Sequence, residues 1–315
     1  MILITGSTGL LGQSLVKRFA PRPDVVGVSR HPAQASLARH ETCDLTDADQ
    51  TRRLIERLQP SRIIHAQALS DADEAEQHPE LAWTMNVGAT QHLIDAIRGT
   101  RTRVVALSTD YVFDGAKQQP YTESDTPHPL SVYGRSKLEA ERVALSHPWA
   151  VVVRTSTLFG EGRMNFCDRV AARVTSGQTA EAFADQITSP AFTDDLAEAI
   201  AALGDRLMAS HELPQPTVYH MTNAGAASRV MFARRVAEIL GCSQDLVVPI
   251  PMAAQQRPAP RPRYSALATE HPANGRIRRS WEDALQAYLR RRYRSGAGRL
   301  TSRTGPSPRT DRVPG

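Results

Sequence analysis

Short apolar runs alternate with stretches of helical period through the first half of the chain. The runs that predict strands are residues 2–5, 25–28, 62–66, 103–107 and 150–154. The stretches whose apolar residues recur with a helical period are 11–19, 47–58, 80–98 and 132–146. Uniformly apolar strands are typical of a sheet that is covered on both faces. The pattern therefore predicts an α/β fold with a doubly wound parallel sheet.

The alternation weakens beyond about residue 160. Helices are predicted at 164–177, 193–208, 228–240 and 281–293, and strands at 218–221 and 246–250. We therefore expect three parts. Residues 1–160 hold most of the sheet domain, residues 161–294 form mainly a smaller mixed lobe that binds substrate, and residues 295–315 form a disordered basic tail. Segments of the second part can still return to the sheet.

The net charge of +5 comes from one end of the chain. Residues 290–315 contain eight arginines and one acid, so this segment carries +7 and the rest of the chain −2. A basic surface that binds nucleic acid is therefore not expected. From about residue 295 the chain is rich in Gly, Ser, Thr, Pro and Arg, which is typical of disorder. Binding of RNA or an acidic surface by this tail stays an alternative.

Targeting and redox features favour the cytoplasm. No apolar run approaches the length that crosses a bilayer, so no membrane partner is expected. Residues 1–5 already read as a strand, which leaves no room for a secretory signal. Cys43, Cys167 and Cys242 are far apart and lack the spacing of a disulfide framework or a zinc site. The ten histidines show no metal spacing either, and we predict no metal ligand.

Three glycines mark the junction between the first strand and the first helix. Gly6, Gly9 and Gly12 permit, in turn, a tight turn, close approach of a pyrophosphate and close packing of the helix on the strand. Free N–H groups at the helix N-terminus then bind the anion. This arrangement predicts a Rossmann domain that binds a dinucleotide. The loop residues predicted to contact it are Gly6, Thr8, Gly9, Leu10, Leu11 and Gly12.

The end of the second strand distinguishes NADP from NAD. An acid at this point would bind the ribose 2′-hydroxyl, but Ser29 and Arg30 stand here instead. A hydroxyl and a guanidinium suit a 2′-phosphate, so NADPH is predicted, with NADH as the alternative. Asp44 follows a short strand and can accept a hydrogen bond from the adenine amino group. Its alternative role is an Asx turn or a helix N-cap.

Tyr133 and Lys137 carry the predicted chemistry. They are four residues apart, so they share one face of a predicted helix. Hydride addition to a ketone creates an alkoxide that needs a proton, and a phenol can donate it when a neighbouring ammonium lowers the phenol's pKa. Thr109 follows the fourth core strand, where it can bind the carbonyl. Asn86 is predicted to organise a helix or a proton path.

Two longer motifs extend this pattern, STDYVFDG at 108–115 and PLSVYGRSKLEAE at 129–141. They resemble the extended short-chain dehydrogenase/reductases, and within that family the dTDP-4-dehydrorhamnose reductase branch. Shorter segments at 154–156, 165–166, 185–190 and 261–265 are similar too, and the likeness covers roughly residues 1–293. The resemblance implies that NADPH reduces a nucleotide-linked 4-keto-6-deoxy sugar. It also implies Thr109, Tyr133 and Lys137 as the catalytic set.

The resemblance implies further contacts. Those with the cofactor are Ser29, Arg30, Asp44, Leu45, Ala66, Gln67, Ala68, Asn86, Tyr133 and Lys137. Those with the sugar nucleotide are Ser70, Asp110, Thr157, Asn165, Asp185, Gln186 and Arg261. Some members bind Mg²⁺ at a subunit contact, but no such site is legible in this sequence. A homodimer stays open.

Two departures from the family pattern bear on the substrate. Thr157 stands where the family usually has an aromatic residue after Arg-Thr-Ser, and HAQALS at 65–70 replaces the more usual Asn-Ala-Ala-Ala-His-Thr. Losing a planar apolar wall changes the shape of a sugar pocket. We therefore expect the general chemistry to be kept, while the choice of sugar stays open.

Other functions on this fold stay open as well. One is a sugar-nucleotide epimerase. Another is a non-catalytic NADP-binding subunit that resembles the regulatory subunit of methionine adenosyltransferase and binds a partner enzyme. Dehydration is disfavoured, because dehydratases of this group usually have an acidic pair after the catalytic threonine. Here Thr109 is followed by Asp110 and Tyr111, which supply one acid.

Overall fold

The structure is a computed structural model of the chain. It describes residues 1–33, 37–214, 217–271 and 277–294. The tail predicted at 295–315 lies outside the described residues. Within these ranges, no helix combines the length and the hydropathy that a membrane span requires.

The helices and strands follow one another as in other α/β proteins. The strands are β1 (Ile2–Thr5), β2 (Val25–Ser29), β3 (Arg39–Thr42), β4 (Arg62–His65), β5 (Arg103–Thr109), β6 (Ala150–Thr155), β7 (Leu158–Phe159), β8 (Ala180–Phe183), β9 (Ile187–Thr188), β10 (Ala191–Phe192), β11 (Val218–His220), β12 (Ala227–Ser228) and β13 (Val247–Ile250). The α-helices are α1 (Leu10–Phe19), α2 (Ala48–Leu58), α3 (Ala72–Gln77), α4 (Pro79–Trp83), α5 (Ala89–Ala96), α6 (Val132–Leu145), α7 (Phe166–Thr175), α8 (Thr193–Ala209), α9 (Arg229–Ile239) and α10 (Trp281–Arg294). A π-helical turn spans Thr84–Gly88, and 3₁₀ turns span Asp110–Val112, Gln244–Leu246 and Met252–Ala254.

Within the described residues, seven parallel strands form the central sheet, in the order β11-β6-β5-β4-β1-β2-β3. The five apolar runs of the sequence became β1, β2, β4, β5 and β6, and every residue in these strands is buried. The chain order reverses at β1, where Thr5 pairs with Val28 on one side and His65 on the other. Ligands of open parallel sheets bind outside the carboxyl ends of the strands at such a reversal. The predicted fold class is confirmed.

The two faces of the sheet carry separate helical layers. Leu3 and Ile4 are neighbours in β1, so their side chains point to opposite faces. Ile4 packs in a cluster with α1 and α8, whereas Leu3 packs in a cluster with α2 and α5. Burial on both faces explains why these strands read as continuous apolar runs rather than as alternating ones.

The second half of the chain contributes to two bodies of structure. Residues 193–220 return to the sheet, because α8 packs against α1 and β11 pairs with β6. The elements α7, β8, α9, β13 and α10 form the C-terminal lobe, with a core of its own. Large buried side chains of that core are Phe159, Phe192, Phe232, Trp281 and Tyr288.

Some elements differ from the sequence pattern. The helix predicted at 80–98 is divided into α4, the π-helical turn and α5. The short pairs β7–β10 and β9–β12 escape prediction, since strands of two residues cannot display a period. Helix α3 is not predicted by the sequence pattern either, because its six residues are mainly polar and only Ala72 and Ala75 are buried.

A buried ion pair ties α6 to the sheet. Arg154 on β6 donates from Nε and Nη2 to both carboxylate oxygens of Glu141, at 2.9 and 2.7 Å, and Ser108 donates a third hydrogen bond to the same carboxylate. Both charged side chains are about 5% exposed or less. Burial makes each charge dependent on its partner.

Glu141→Ala should lower the free energy of unfolding by about 3–5 kcal/mol, because Arg154 is then left buried without a carboxylate. The double variant Glu141→Leu, Arg154→Met should lose less than the single variant, since it removes both buried charges. Urea unfolding of the three proteins measures the difference. A double variant that is less stable than Glu141→Ala would contradict this interpretation.

Candidate active site

The glycine loop follows β1 and allows two close backbone approaches. Gly6 has φ +66°, and a Cβ at this position would lie 2.8 Å from the backbone nitrogen of Gln67. A Cβ on Gly12 would lie 2.0 Å from the carbonyl oxygen of Gly6. Neither position tolerates a side chain. The first turn of α1 is therefore held tightly against the end of β1.

The N-terminus of α1 has the chemistry of an anion site. Its N-cap is Gly9, which has no side chain to cover the free N–H groups. Ser7 is 5% exposed, and its Oγ has no hydrogen-bond partner among the described residues. An uncapped helix end, a loop without side chains in the way and an unpartnered buried hydroxyl fit the pyrophosphate of a dinucleotide.

The residues predicted to choose between NADP and NAD have different surroundings. Ser29 is buried, donates to the carbonyl oxygen of His31 at 2.6 Å and hydrogen-bonds Nε2 of His40 at 2.8 Å. Arg30 is exposed, and its Nη1 lies 3.7 Å from Sδ of Met85. The hydroxyl of Ser29 is therefore engaged by its neighbours, whereas the guanidinium of Arg30 is accessible. Contacts of these two residues with a 2′-phosphate stay predictions.

Other predicted cofactor residues lie around the β1–β4 edge. Asp44 accepts hydrogen bonds from the backbone and hydroxyl of Thr46, at 3.0 and 2.8 Å, which is the Asx-turn alternative, while Asp47 caps α2. Leu45 is fully buried. The half-buried residues of the loop after β4 are Ala66, Gln67 and Ala68, and Ser70 beyond them is exposed. Thr8 and Leu10 are half-buried and Leu11 is buried.

Asn86 braces this loop against the catalytic helix. It lies in the π-helical turn and is 1% exposed. Its Oδ1 accepts from the backbone N–H of Leu69 at 2.7 Å, and its Nδ2 donates to Oγ of Ser136 on α6 at 2.9 Å. π-helical turns are frequent at functional sites. The structure favours the organising role predicted for Asn86.

His65 lies at the end of β4 and is enclosed. Its Nδ1 lies 2.8 Å from Oγ1 of Thr5, and its Nε2 lies 3.1 Å from Oγ1 of Thr90. Burial lowers the pKa of His65 to about 3, and the charge of Lys137 acts in the same direction. The ring is therefore neutral at physiological pH and links three elements by hydrogen bonds.

Thr109 is the last residue of β5, and α6 carries Tyr133 and Lys137 one helical turn apart. Ser131 caps α6 by accepting from the backbone N–H of Gly134, and this places Tyr133 in the first helical turn. The hydroxyl of Thr109 is close enough to the Tyr133 phenol to oppose the rise in its pKa. Lys137 is 5% exposed, and its Nζ donates to the carbonyl oxygen of Leu107 at 2.7 Å.

The pKa shift of Tyr133 differs in direction from the expectation, and Lys137 is shifted as well. Burial raises the pKa of Tyr133, although the hydrogen bond with Thr109 opposes that rise. Burial also lowers the pKa of Lys137 to about 8, against the opposing charge of Glu141. The expected lowering of the Tyr133 pKa is thus corrected. Desolvation of the phenolate outweighs the ammonium, which hydrogen-bonds a backbone carbonyl instead of the phenol.

Asp110 is enclosed by hydroxyl groups. Its carboxylate accepts hydrogen bonds from Thr109, Ser156 and Ser265. The residue is 3% exposed, and burial raises its pKa against the effect of these hydrogen bonds. The substrate contact of Asp110 stays a prediction. Its side chain fixes Thr109 and joins β5 to Ser156, which follows β6, and to Ser265, which lies between β13 and α10.

An arginine-rich cleft opens beside Tyr111. The arginines that line it are Arg169, Arg229, Arg257 and Arg261, and Glu181 is the acid among the lining residues. Arg229 donates from Nε to Oε1 of Gln186 at 3.3 Å and lies over the ring of Phe166, 4.8 Å from its centroid. In the part of the chain that the structure describes, Arg229 forms no ion pair with a carboxylate. The cleft is suited to an anionic ligand with a flat ring.

Sequence reasoning missed Arg229, Phe166 and Tyr111. One signal for Arg229 was available, since a cation in the first turn of a helix is disfavoured by the helix dipole. Tyr111 follows Asp110 in the quoted motif and contacts Tyr133 edge to face, with ring centroids 5.8 Å apart. No period or spacing identifies Phe166.

The predicted sugar-nucleotide residues separate into two groups. Gln186 and Arg261 line the cleft. The Asn165 side chain instead caps α7, with Nδ2 donating to Gly160 O at 2.9 Å, and Asp185 accepts from the backbone N–H of Met252 at 2.8 Å. Helix and turn capping therefore engage both side chains, and their contacts with the sugar nucleotide stay predictions. Thr157 donates to Oγ1 of Thr188 at 3.0 Å.

One group of potential metal ligands occurs among the described residues, formed by Glu123, Glu270 and His271. None of the three is a predicted site residue. The Glu123 carboxylate already accepts hydrogen bonds from the backbone N–H groups of His220 and Glu270 and from the Thr269 hydroxyl. The group therefore braces the loops around β11.

Comparison with known proteins identifies relatives over nearly the whole chain. A family described as RmlD substrate binding domain matches residues 1–294. A probable dTDP-4,6-dihydroxy-2-methyloxan-3-one 4-ketoreductase from Streptomyces antibioticus is 34% identical over 288 residues, which are 90% of this chain and 92% of the relative. A dTDP-4-dehydrorhamnose reductase from Mycolicibacterium smegmatis is 32% identical over 290 residues, which are 90% of this chain and 84% of the relative.

A solved structure agrees with these relatives. The dTDP-4-dehydrorhamnose reductase from Bacillus anthracis, in complex with NADP, superposes with a TM-score of 0.78 and is 26% identical. The match covers 91% of this chain and 98% of that one.

Lys137 should titrate well below an ordinary lysine. We expect its midpoint near pH 8, so the ammonium is present at neutral pH and is lost as the pH rises through that value. NMR of the side-chain Nζ and Cε, assigned with Lys137→Arg, measures the midpoint. The reference is the usual value of a lysine side chain in water, about 10.4. A midpoint for Lys137 at that usual value would contradict the effect of burial on its pKa.

Proposed function

The chain belongs to the RmlD substrate binding domain family, and we propose that it is an NADPH-dependent reductase of a dTDP-linked 4-keto-6-deoxy sugar. The relatives reported above include dTDP-4-dehydrorhamnose reductases, and one solved relative is in complex with NADP. The three cysteines are free thiols, which fits a reducing compartment, and a cytoplasmic location is part of the proposal.

The position of Tyr133 carries the proposal. Its phenol lies beside Thr109 at the carboxyl edge of the sheet, and one ring, that of Tyr111, separates it from the arginine-lined cleft. A proton donor and an anion-binding cleft are therefore next to each other. A keto sugar attached to a nucleoside diphosphate needs both, because its carbonyl and its phosphates lie at opposite ends of the sugar.

The reduction assigns one task to each residue at the sheet edge. Bound NADPH supplies the hydride to the carbonyl carbon. Thr109 turns its hydroxyl proton from Asp110 to the carbonyl oxygen, and Tyr133 transfers its phenolic proton to that oxygen, which becomes the new hydroxyl. Burial disfavours the phenolate that Tyr133 leaves behind, so a cation must stabilise it. Lys137, one helical turn away, is mostly protonated at neutral pH and is placed for that task.

The cleft supplies the groups for the nucleotide. Arg229 and Arg261 each offer a planar set of N–H donors that matches phosphate oxygens. Phe166 has one face against Arg229 and offers an apolar surface to a base or sugar. Gln186 holds Arg229 and donates to the Tyr111 hydroxyl, so it connects the cleft to the catalytic edge.

The expected result of Tyr133→Phe is a roughly 10²–10⁴-fold loss in kcat for a dTDP-linked 4-keto-6-deoxy sugar, because the proton donor is removed. The rate of NADPH oxidation, followed by the loss of absorbance of the reduced nicotinamide, measures kcat for the parent and for the variant. Tyr111→Phe is the matched control, since it removes a second phenol beside the first. It should cost much less, because the Tyr111 hydroxyl interacts with Gln186 and Arg261 and is not the proposed proton donor.

Two outcomes would contradict the mechanism. One is a Tyr133→Phe protein as active as the parent. The other is a Tyr111→Phe loss larger than that of Tyr133→Phe, which would transfer the role of acid to the neighbouring ring.

Cofactor preference offers a separate test. Arg30→Ala should lower kcat/KM for NADPH by roughly 10–100-fold, the effect of one charge-assisted hydrogen bond, and leave kcat/KM for NADH nearly unchanged. Arg53→Ala removes another exposed arginine and should affect neither cofactor. Equal losses for both cofactors, or a parent protein that prefers NADH, would assign Arg30 no contact with a 2′-phosphate.

A further inference from the structure

Asp73 on α3 holds a segment of the C-terminal half across the cleft. Its two carboxylate oxygens accept from Nη1 and Nη2 of Arg261, at 3.0 and 2.7 Å. The backbone N–H of Ala259 donates to the same carboxylate at 3.1 Å, and Arg257 approaches it at 3.8 Å. Residues 257–261 are therefore fastened to α3, which follows β4 of the sheet, although about 185 residues separate them in sequence.

These contacts fix the orientation of the Arg261 guanidinium. A guanidinium has five N–H donors. Asp73 accepts one from each terminal nitrogen, and Ala259 O accepts another from Nη1 at 3.0 Å. Two donors remain, on Nε and Nη2, and they form the other edge of the fork. That edge belongs to a side chain that is 10% exposed and lines the cleft beside Tyr111.

The same helix also contacts the start of α6. Glu76, one turn after Asp73, accepts from the backbone N–H of Val132 at 2.8 Å, and its other oxygen lies 3.9 Å from Nη2 of Arg135. Val132 immediately precedes Tyr133. Helix α3 thus makes two contacts with the site. Asp73 binds Arg261, which lines the cleft, and Glu76 binds the first turn of α6, which carries Tyr133.

We propose that Asp73 is a positioning residue that presents the free edge of Arg261 to the diphosphate of the substrate. The inference rests on the proposed function, which assigns that diphosphate to the arginine-lined cleft. A long arginine side chain has many rotamers, and binding must otherwise restrict them. Asp73 restricts them before the ligand arrives. It also neutralises part of the charge of a cleft in which four arginines face one glutamate.

Asp73→Asn tests the assignment, with dTDP as the probe. The amide keeps the size of the side chain but cannot accept from both terminal nitrogens of Arg261. We expect the Kd of dTDP, measured by calorimetry, and the KM of the dTDP-linked keto sugar to rise roughly tenfold, as for one weakened charge-assisted contact. The kcat and the Kd of NADPH should change by less than about twofold, because Tyr133 and the glycine loop are untouched.

A double-mutant cycle separates positioning from general stabilisation. In an Arg261→Ala background, Asp73→Asn should have no further effect on dTDP binding, since the side chain that it positions is absent. Asp73→Glu keeps the charge and should recover part of the affinity. Glu74→Gln removes an exposed carboxylate from the same helix and is the matched control, which should bind dTDP as the parent does.

Two results would overturn the role of Asp73. The first is tighter binding of dTDP by Asp73→Asn, which would mean that Asp73 competes with the ligand for Arg261. The second is a loss of dTDP affinity in Asp73→Asn that persists undiminished in the Arg261→Ala background. Because calorimetry with dTDP needs no turnover, a parent protein that binds dTDP but does not reduce the keto sugar would contradict the proposed reduction while leaving the role of Asp73 supported by the cycle.

Discussion

Close packing of the first helix on the first strand is the constraint from which the site follows. Gly12 lies so near the Gly6 carbonyl that no side chain fits between them. This contact directs the N-terminus of α1 toward the same sheet edge at which β4, β5 and β6 end. The glycine loop, the Asn86-braced loop and Thr109 therefore converge without long connections. Parallel strands make such convergence inevitable, because their carboxyl ends share one side.

Much of the sheet domain could be predicted from the sequence, since burial on both faces produces apolar runs that survive in the pattern. The N-cap of α6 was predictable as well, because Ser131 precedes the helix and its hydroxyl has a local partner. Asn165 and Asp185 show the limit. Their motif suggested a ligand, but a polar side chain beside a helix or turn start also satisfies backbone N–H groups, and the sequence alone does not separate the two uses. Long-range pairs such as Asp73 with Arg261 leave no trace in periodicity.

Burial accounts for the electrostatic differences between expectation and structure. A lysine four residues from a tyrosine was expected to lower the phenol's pKa, yet both side chains are removed from water, and desolvation disfavours each charge. The two neighbouring buried acids have different partners. Asp110 is surrounded by hydroxyls and fixes Thr109, whereas Glu141 is paired with Arg154 and lies near Lys137. Two buried carboxylates thus organise the carboxyl edge of the sheet through hydrogen bonds to neighbouring side chains.

The π-helical turn at Thr84–Gly88 has a consequence for how this chain can change over time. A widened turn accommodates one more residue than a regular one, and here that extra residue lets Asn86 reach both Leu69 and Ser136. Deleting a single residue would restore regular winding and remove the widened turn that holds Asn86 between its two partners. Point substitutions on its outer surface are tolerable, but insertions and deletions are not. Proteins that descend from this one are therefore expected to keep the length of the segment even where its amino-acid sequence diverges.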